Sequence, residues 1–162
     1  FEEDEQLFTD WHTQRSTIKI GEPVEMSRED CDHDHNVTCS RGLHVGSTEY
    51  VAHFGHSNSF ILAVLVSPAD VVAVPEDYQW QKMRTCRYYP YAVCEKNEDG
   101  SLVELDTQYF EEDFIHYEKE SLEAALRELG RMKSEEDFDG YTEKEIQELE
   151  TFTKSRLIDI NG

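Results

Sequence analysis

The apolar residues of this 162-residue chain change their spacing near Lys96-Asn-Glu-Asp-Gly100, and that change limits the fold more than any other feature. Upstream, apolar residues come in short alternating or continuous runs that suit strands. Downstream, they recur three and four positions apart, which suits amphipathic helices. The pattern predicts an α+β fold: a mixed or antiparallel β-sheet core, a short helix after the Gly42–Val45 strand, and a C-terminal helical hairpin. Residues 1–97 form the β-rich part. Residues 98–162 form a helical appendage expected to pack on it within one structural domain, and a chain of this length buries a real core.

Thr17-Ile-Lys-Ile20 alternates and stops at Gly21, with Val24 and Met26 continuing the alternation. Residues 27–38 are polar and read as a loop. Gly42-Leu-His-Val45 is a short extended piece, and the Ser47 hydroxyl is placed to cap a short helix bearing Tyr50, Val51 and Phe54, closed by Gly55. Phe60 to Val66 has the composition of a strand buried on both faces. Pro68-Ala-Asp70 reads as a turn and Val71–Val74 as a second buried strand ended by Pro75. Arg84 to Glu95 reads as one long strand, with Pro90 at an edge or bulge position. In the second part, Ser121 is placed to cap a helix carrying Leu122, Ala125, Leu126, Leu129 and Met132. A turn at Asp137–Gly140 leads to the capping box Thr142-Glu-Lys-Glu145, followed by Ile146, Leu149 and Phe152. The aromatics Tyr109, Phe110, Phe114 and Tyr117 are expected to precede the helices and dock them on the sheet.

Charge narrows the partners. There are 36 acidic residues against 15 lysines and arginines, a formal net charge of −21. Residues 98–162 hold 20 of the acids and 7 of the bases. A field of this sign opposes nucleic acid and acidic membrane surfaces alike. The longest apolar run, Phe60–Val66, is far short of the ~20 residues of a membrane span, so no transmembrane segment is expected. The opening Phe1-Glu-Glu-Asp-Glu5 is acidic where a signal peptide is basic, and with no initiator Met the chain is read as a fragment or processed product. Cys31, Cys39, Cys86 and Cys94 then default to reduced thiols, and Asn36-Val37-Thr38 is not read as a glycan acceptor.

Three clusters carry candidate chemistry. Cys31, His33, His35 and Cys39 supply a zinc-type ligand set, but the C-x-H-x-H-x₃-C spacing fits no familiar finger, and a solvated acidic loop is the plainer reading. No cofactor is therefore expected. Arg41, Gly42 and His44, with Ser47 at a helix start, can hold an anion. Asp70, Lys82 and Arg84 form the third group: the two cations share a strand face and can complete that pocket or neutralise Asp70 and Asp77. For these two groups as well, a structural role is the plainer reading. No G-x-S-x-G, phosphate-cradling glycine loop or activated cysteine appears, and Glu111–Asp113 and Glu135–Asp137 read as solvated faces.

Several motifs together resemble one family. Gly21-x-x-Val24-x-Met26-x-Arg28, Thr38-Cys-Ser-Arg-Gly-Leu-His-Val45 with Ser47, Tyr50 and His53-Phe-Gly55, then Val64-x-Val66-x-Pro68-x-Asp-Val-Val72, Val74-Pro75, Asp77-Tyr78, Lys82-Met-Arg84, Cys86 and Tyr88 are similar to the C-terminal domain of the bacteriophage rIIB proteins. The resemblance runs from about Leu7 to Glu95. It departs from the family at Cys31–His35, where the family stretch is acidic and lacks Cys and His, which weakens the zinc set further. It implies a phage protein in the cytoplasm of an infected bacterium, free or peripheral to the inner membrane. The family is tied to lysis timing and to escape from prophage exclusion together with an rIIA partner, and it assigns no role to Arg41, Gly42, His44, Asp70, Lys82 or Arg84.

Two functional readings follow. In the first, the chain is a non-catalytic accessory module that binds a host or phage protein, with an rIIA-like partner among the candidates. In the second, Arg41, Lys82 and Arg84 hold phosphates and His44 serves as acid/base or stacking group, in a nucleotide sponge or an ADP-ribosyltransferase-like enzyme whose catalytic Glu has no evident position. The first is preferred.

Overall fold

The computed structural model describes residues 7–10, 16–53, 59–105, 111–138 and 140–162. Its contacts divide the chain into two compact units, one of Phe1–Val66 with Val71–Gln108 and one of Ser67–Asp70 with Tyr109–Gly162. The fold is α+β, and every strand pairing among the described residues is antiparallel.

The first unit holds three small sheets. A hairpin joins β1 (Leu7–Thr9) to β2 (Thr17–Lys19), with Phe8 opposite Ile18 and both buried. Period two puts Ile18 on the inner face as the Thr17–Ile20 alternation predicts, while the strand ends at Lys19 and leaves half-buried Ile20 in the turn. The second sheet has the order β3 (Val24–Glu25), β8 (Arg87–Val93), β5 (Leu62–Leu65). The third has the order β4 (Leu43–Gly46), β7 (Lys82–Thr85), β6 (Val71–Ala73). The helix after β4 is α1 (Thr48–Ala52), where Ser47 Oγ accepts the Tyr50 N–H at 3.2 Å. Phe54 and Gly55 lie outside the described residues.

Two expectations need correcting here. Residues 84–95 are not one strand. The chain bends at Cys86, whose carbonyl accepts the Met26 N–H at 2.9 Å, so β7 and β8 enter different sheets. The bend interrupts alternation and lets Arg84, Thr85, Arg87, Tyr88 and Tyr89 all be buried. Of the edge or bulge position expected for Pro90, the structure shows the bulge, because β8 is the central strand of its sheet. Pro90 sits beside a register shift against Ala63 and Val64, and its carbonyl takes the Gly21 N–H at 2.9 Å. The Phe60–Val66 run is not buried on both faces: β5 ends its sheet, its residues are half-buried, and Phe60 is exposed. The turn expected at Pro68–Asp70 is present as a 3₁₀ turn, and another occupies Arg28–Asp30 within the expected loop.

The second unit is built on α2 (Glu111–Glu135) and α3 (Glu143–Asn161). The Thr142 capping box is complete: Thr142 Oγ1 accepts the Glu145 N–H at 3.2 Å, and the Glu145 carboxylate accepts the Thr142 N–H at 2.7 Å. Leu129 and Met132 of α2 and Ile146 of α3 form a core, with Phe138 packed on it. Ser121 is not a cap. The helix begins ten residues earlier, and Ser121 lies buried within it because its hydroxyl has a tertiary acceptor. Phe114 and Tyr117 accordingly belong to α2 itself, while Tyr109, Phe110 and Asp139 lie outside the described residues. On α3 the buried face runs through Ile146 and Thr153, leaving Leu149 and Phe152 exposed. Arg156 forks onto Glu118 at 2.8 and 3.0 Å, and Lys133 meets Glu150 at 2.9 Å.

Burial and, secondarily, the charge of Asp10 push the Tyr88 phenol up to about 12, and burial with the Asp70 carboxylate raises Tyr117 as well. A raised tyrosine contributes stability that is complete below the unfolded value near 10 and is lost as pH climbs to the folded value. The expected result is alkaline unfolding between about pH 10 and 12, to which Tyr88 alone contributes on the order of 2 kcal/mol. Tyr88→Phe should flatten that limb in urea melts run at stepped pH, and an unchanged limb would contradict the assignment.

Candidate functional site

Of the candidate residues, Gly42, His44, Lys82 and Arg84 lie on or next to β4 and β7, where His44 pairs in register with Arg84 and Gly46 with Lys82. Arg84 is 1% exposed and turns its guanidinium onto the loop before β4. Nη1 donates to the carbonyl oxygens of Asp32 at 2.5 Å and Asp34 at 3.4 Å, and Nη2 to that of Val37 at 2.6 Å. Gly42 makes room for the Arg84 stem. Its φ is +146°, and a Cβ there would lie 2.3 Å from Arg84 Cγ. Lys82 Nζ reaches Asp77 at 2.6 Å and donates to the Thr38 carbonyl at 2.8 Å. A second arginine, Arg28, donates through Nη2 to the Val71 carbonyl at 2.9 Å. The fork geometry of arginine suits this work, since one side chain can hold two strands of loop.

His44 is exposed, with Nε2 2.8 Å from the Ser40 carbonyl. Arg41 is exposed too. Asp32 is held below the usual carboxylate range by the Ser40 hydroxyl and the Asp34 N–H first, then by the charges of Arg84 and Arg41. Ser47 is engaged in capping α1. Asp70 belongs to the other unit, where its Oδ2 accepts hydrogen bonds from Tyr117 Oη at 2.9 Å and Ser121 Oγ at 2.7 Å.

The zinc-type set is not assembled. Cys31 is buried with its Sγ directed at the Ser27 and Thr85 carbonyls, and burial raises its thiol above the ordinary range. His33 Nε2 faces the Arg28 carbonyl at 3.3 Å, and Cys39 is exposed. Among the described residues no group of three or more His, Cys, Asp or Glu is placed to hold a metal ion.

Sequence reasoning missed the turn Asp77–Trp80. Tyr78, Gln79 and Trp80 all have positive φ, at 50°, 58° and 57°. Left-handed backbone costs an L-residue about 1–2 kcal/mol each, so three in a row is a held conformation. Tyr78 and Trp80 are 61% and 63% exposed. The only signal in the sequence is two aromatics in a polar stretch between Pro75 and Lys82, with no periodicity to place them.

The described residues thus comprise an antiparallel β unit whose arginines bind its own carbonyls and a unit built on two helices. A family model described as Bacteriophage T4 protein rIIB matches residues 4–112, and the chain belongs to that family. The match extends past Glu95, the limit expected from the motifs, into the start of α2. The chain is 46% identical over 81 residues to protein rIIB of Enterobacteria phage T4, an alignment covering 50% of this chain and 26% of the relative. It thus spans about a quarter of the length of the curated relative it matches. No solved structure matches it. Among the described residues no helix is long and apolar enough to cross a membrane.

Proposed function

We propose that this chain is a non-catalytic accessory module of a phage that works by binding another protein, an rIIA-like phage partner or a host protein. Its setting is the cytoplasm of the infected bacterium, free or peripheral to the inner membrane, and its effect is on lysis timing or escape from exclusion. What supports this reading is the employment of the basic side chains: Arg84 and Lys82, which a nucleotide pocket would need, hold the chain's own carbonyls and Asp77. The surface they leave is acidic and carries exposed aromatics, a composition suited to protein docking.

The test pairs a phage experiment with a ligand screen. Deleting residues 7–162 from the phage-encoded protein is expected to shift time to lysis or plating on a lysogen, and Arg41→Ala is expected to leave both unchanged. In parallel, ATP, NAD and cyclic dinucleotides are expected to leave the melting temperature flat. A binder at a hundred times its Kd would add about 2.7 kcal/mol, a shift of several degrees. A deletion without phenotype removes the lysis and exclusion reading. A nucleotide shift that Arg41→Ala abolishes replaces protein binding with nucleotide handling.

A further inference from the structure

We propose that the left-handed turn Asp77–Trp80 is the docking surface of the β unit, and that it receives a lysine- or arginine-rich segment of the partner protein. The inference rests on the protein-binding reading above and names its surface and the partner's chemistry. Three observations converge on it.

The first is conformation. Three consecutive bulky residues occupy left-handed backbone, which crowds each Cβ against the following carbonyl and is ordinarily left to glycine or a single Asn. Such a conformation persists only where its surroundings over-determine it.

The second is the set of restraints that hold it. The Tyr50 ring of α1 packs edge-on against Tyr78 at 5.2 Å between centroids. Lys82 ties down Asp77 at 2.6 Å and lies 5.5 Å from the Tyr78 ring centre. The Gln81 N–H donates to the Tyr78 carbonyl at 3.2 Å, the Gln81 carbonyl takes the Ser47 N–H at 2.7 Å, and Gln81 Nε2 donates to Glu49 at 3.2 Å. These contacts fix the turn and the Tyr78 ring to α1 and β7.

The third is what the turn displays. Trp80 and Tyr78 are both mostly exposed, and among the described residues Trp80 has no ring or ion partner. Exposed Glu76 precedes the turn, and exposed Glu49 is bonded to its far side. The positive charge of Lys82 is already matched by Asp77 and a carbonyl. An exposed indole attracts guanidinium and ammonium groups by cation–π contact, and the exposed carboxylates of Glu76 and Glu49 add ionic attraction. The net charge of −21 steers a basic segment toward the chain from a distance and repels acidic ones.

The test is site-specific photocrosslinking in infected cells. A benzophenone amino acid replaces Gln79, between the two aromatics, and in a second protein replaces Tyr141, an exposed position of the helical unit. The expected result is a crosslink from position 79 to a protein peptide with an excess of Lys and Arg. Its yield should fall at least tenfold when Trp80→Ala is added and stay within twofold with Trp80→Phe. The thermal melt of each variant is recorded alongside, and Trp80→Phe controls for folding. A crosslink from 79 to an acidic or apolar peptide, or to phospholipid, would overturn the proposal, as would a yield indifferent to Trp80→Ala. A crosslink from 141 with none from 79 would overturn this surface and leave the protein-binding reading standing. No crosslink from either position would overturn both.

Discussion

Arg84→Ala is expected to destabilise the β unit by about 3–5 kcal/mol, the largest single effect in that unit. The side chain is 1% exposed and its guanidinium binds the carbonyl oxygens of Asp32 and Val37 at 2.5 and 2.6 Å. A hydrogen bond from a charged donor contributes about 1.5–3 kcal/mol, and alanine would take the guanidinium from both carbonyls. Arg84→Lys keeps the charge but cannot span two carbonyls with one ammonium, so it should recover less than half of the loss. Gly42→Ala strikes the same contact from the other side. With φ at +146° and its Cβ 2.3 Å from Arg84 Cγ, the alanine is strained by its own backbone and clashes with a stem that cannot swing away. The two alanine substitutions should therefore be less than additive, since removing Arg84 removes the clash. Urea melts measure all of this as a fall in midpoint at constant slope. A loss under about 1 kcal/mol for Arg84→Ala would mean that water replaces the guanidinium at no cost, and the central place given to this residue would be wrong.

In the helical unit, the corresponding experiment is Asp70→Ala, with an expected cost of about 2–4 kcal/mol. Asp70 is 4% exposed, and its Oδ2 is the acceptor for both Tyr117 and Ser121 of α2. Removing the carboxylate takes a shared acceptor from two buried hydroxyls at once. Tyr117→Phe and Ser121→Ala each delete one donor and leave the acceptor served, so about 1 kcal/mol apiece is expected. Asp70→Asn keeps an acceptor oxygen and should fall between. In double-mutant cycles, Asp70→Ala should mask most of the effect of Tyr117→Phe, because the bond has no acceptor left to lose. Hydrogen exchange through residues 114–124 gives the local readout, with protection falling in Asp70→Ala and in step with the global melt. Unchanged protection there would show that α2 is held without this carboxylate.

Both residues lie in motifs that the sequence offers as an anion site, and their partners show how far a sequence carries. The signals read correctly were local. Ser47 caps α1 and Thr142 with Glu145 caps α3 because donor and acceptor lie three residues apart, within reach of any chain that turns there. Ile18 faces inward because a strand alternates. The signals misread had non-local answers. Arg84 is bound to carbonyls 47 to 52 residues away. Ser121 has the look of a cap but bonds a carboxylate 51 residues upstream. The break at Cys86 depends on a neighbouring strand that nothing within residues 84–95 announces.

By itself the sequence determined the α+β fold class, the caps of α1 and α3, the strongly acidic field and the family, because periodicity, capping and charge are properties of neighbours in the chain. The tertiary structure alone decided that the arginines bind the protein's own backbone and that Tyr78 and Trp80 are displayed on a left-handed turn. Both depend on which distant segments meet, and a buried arginine or a strained aromatic has the same letters as a solvated one.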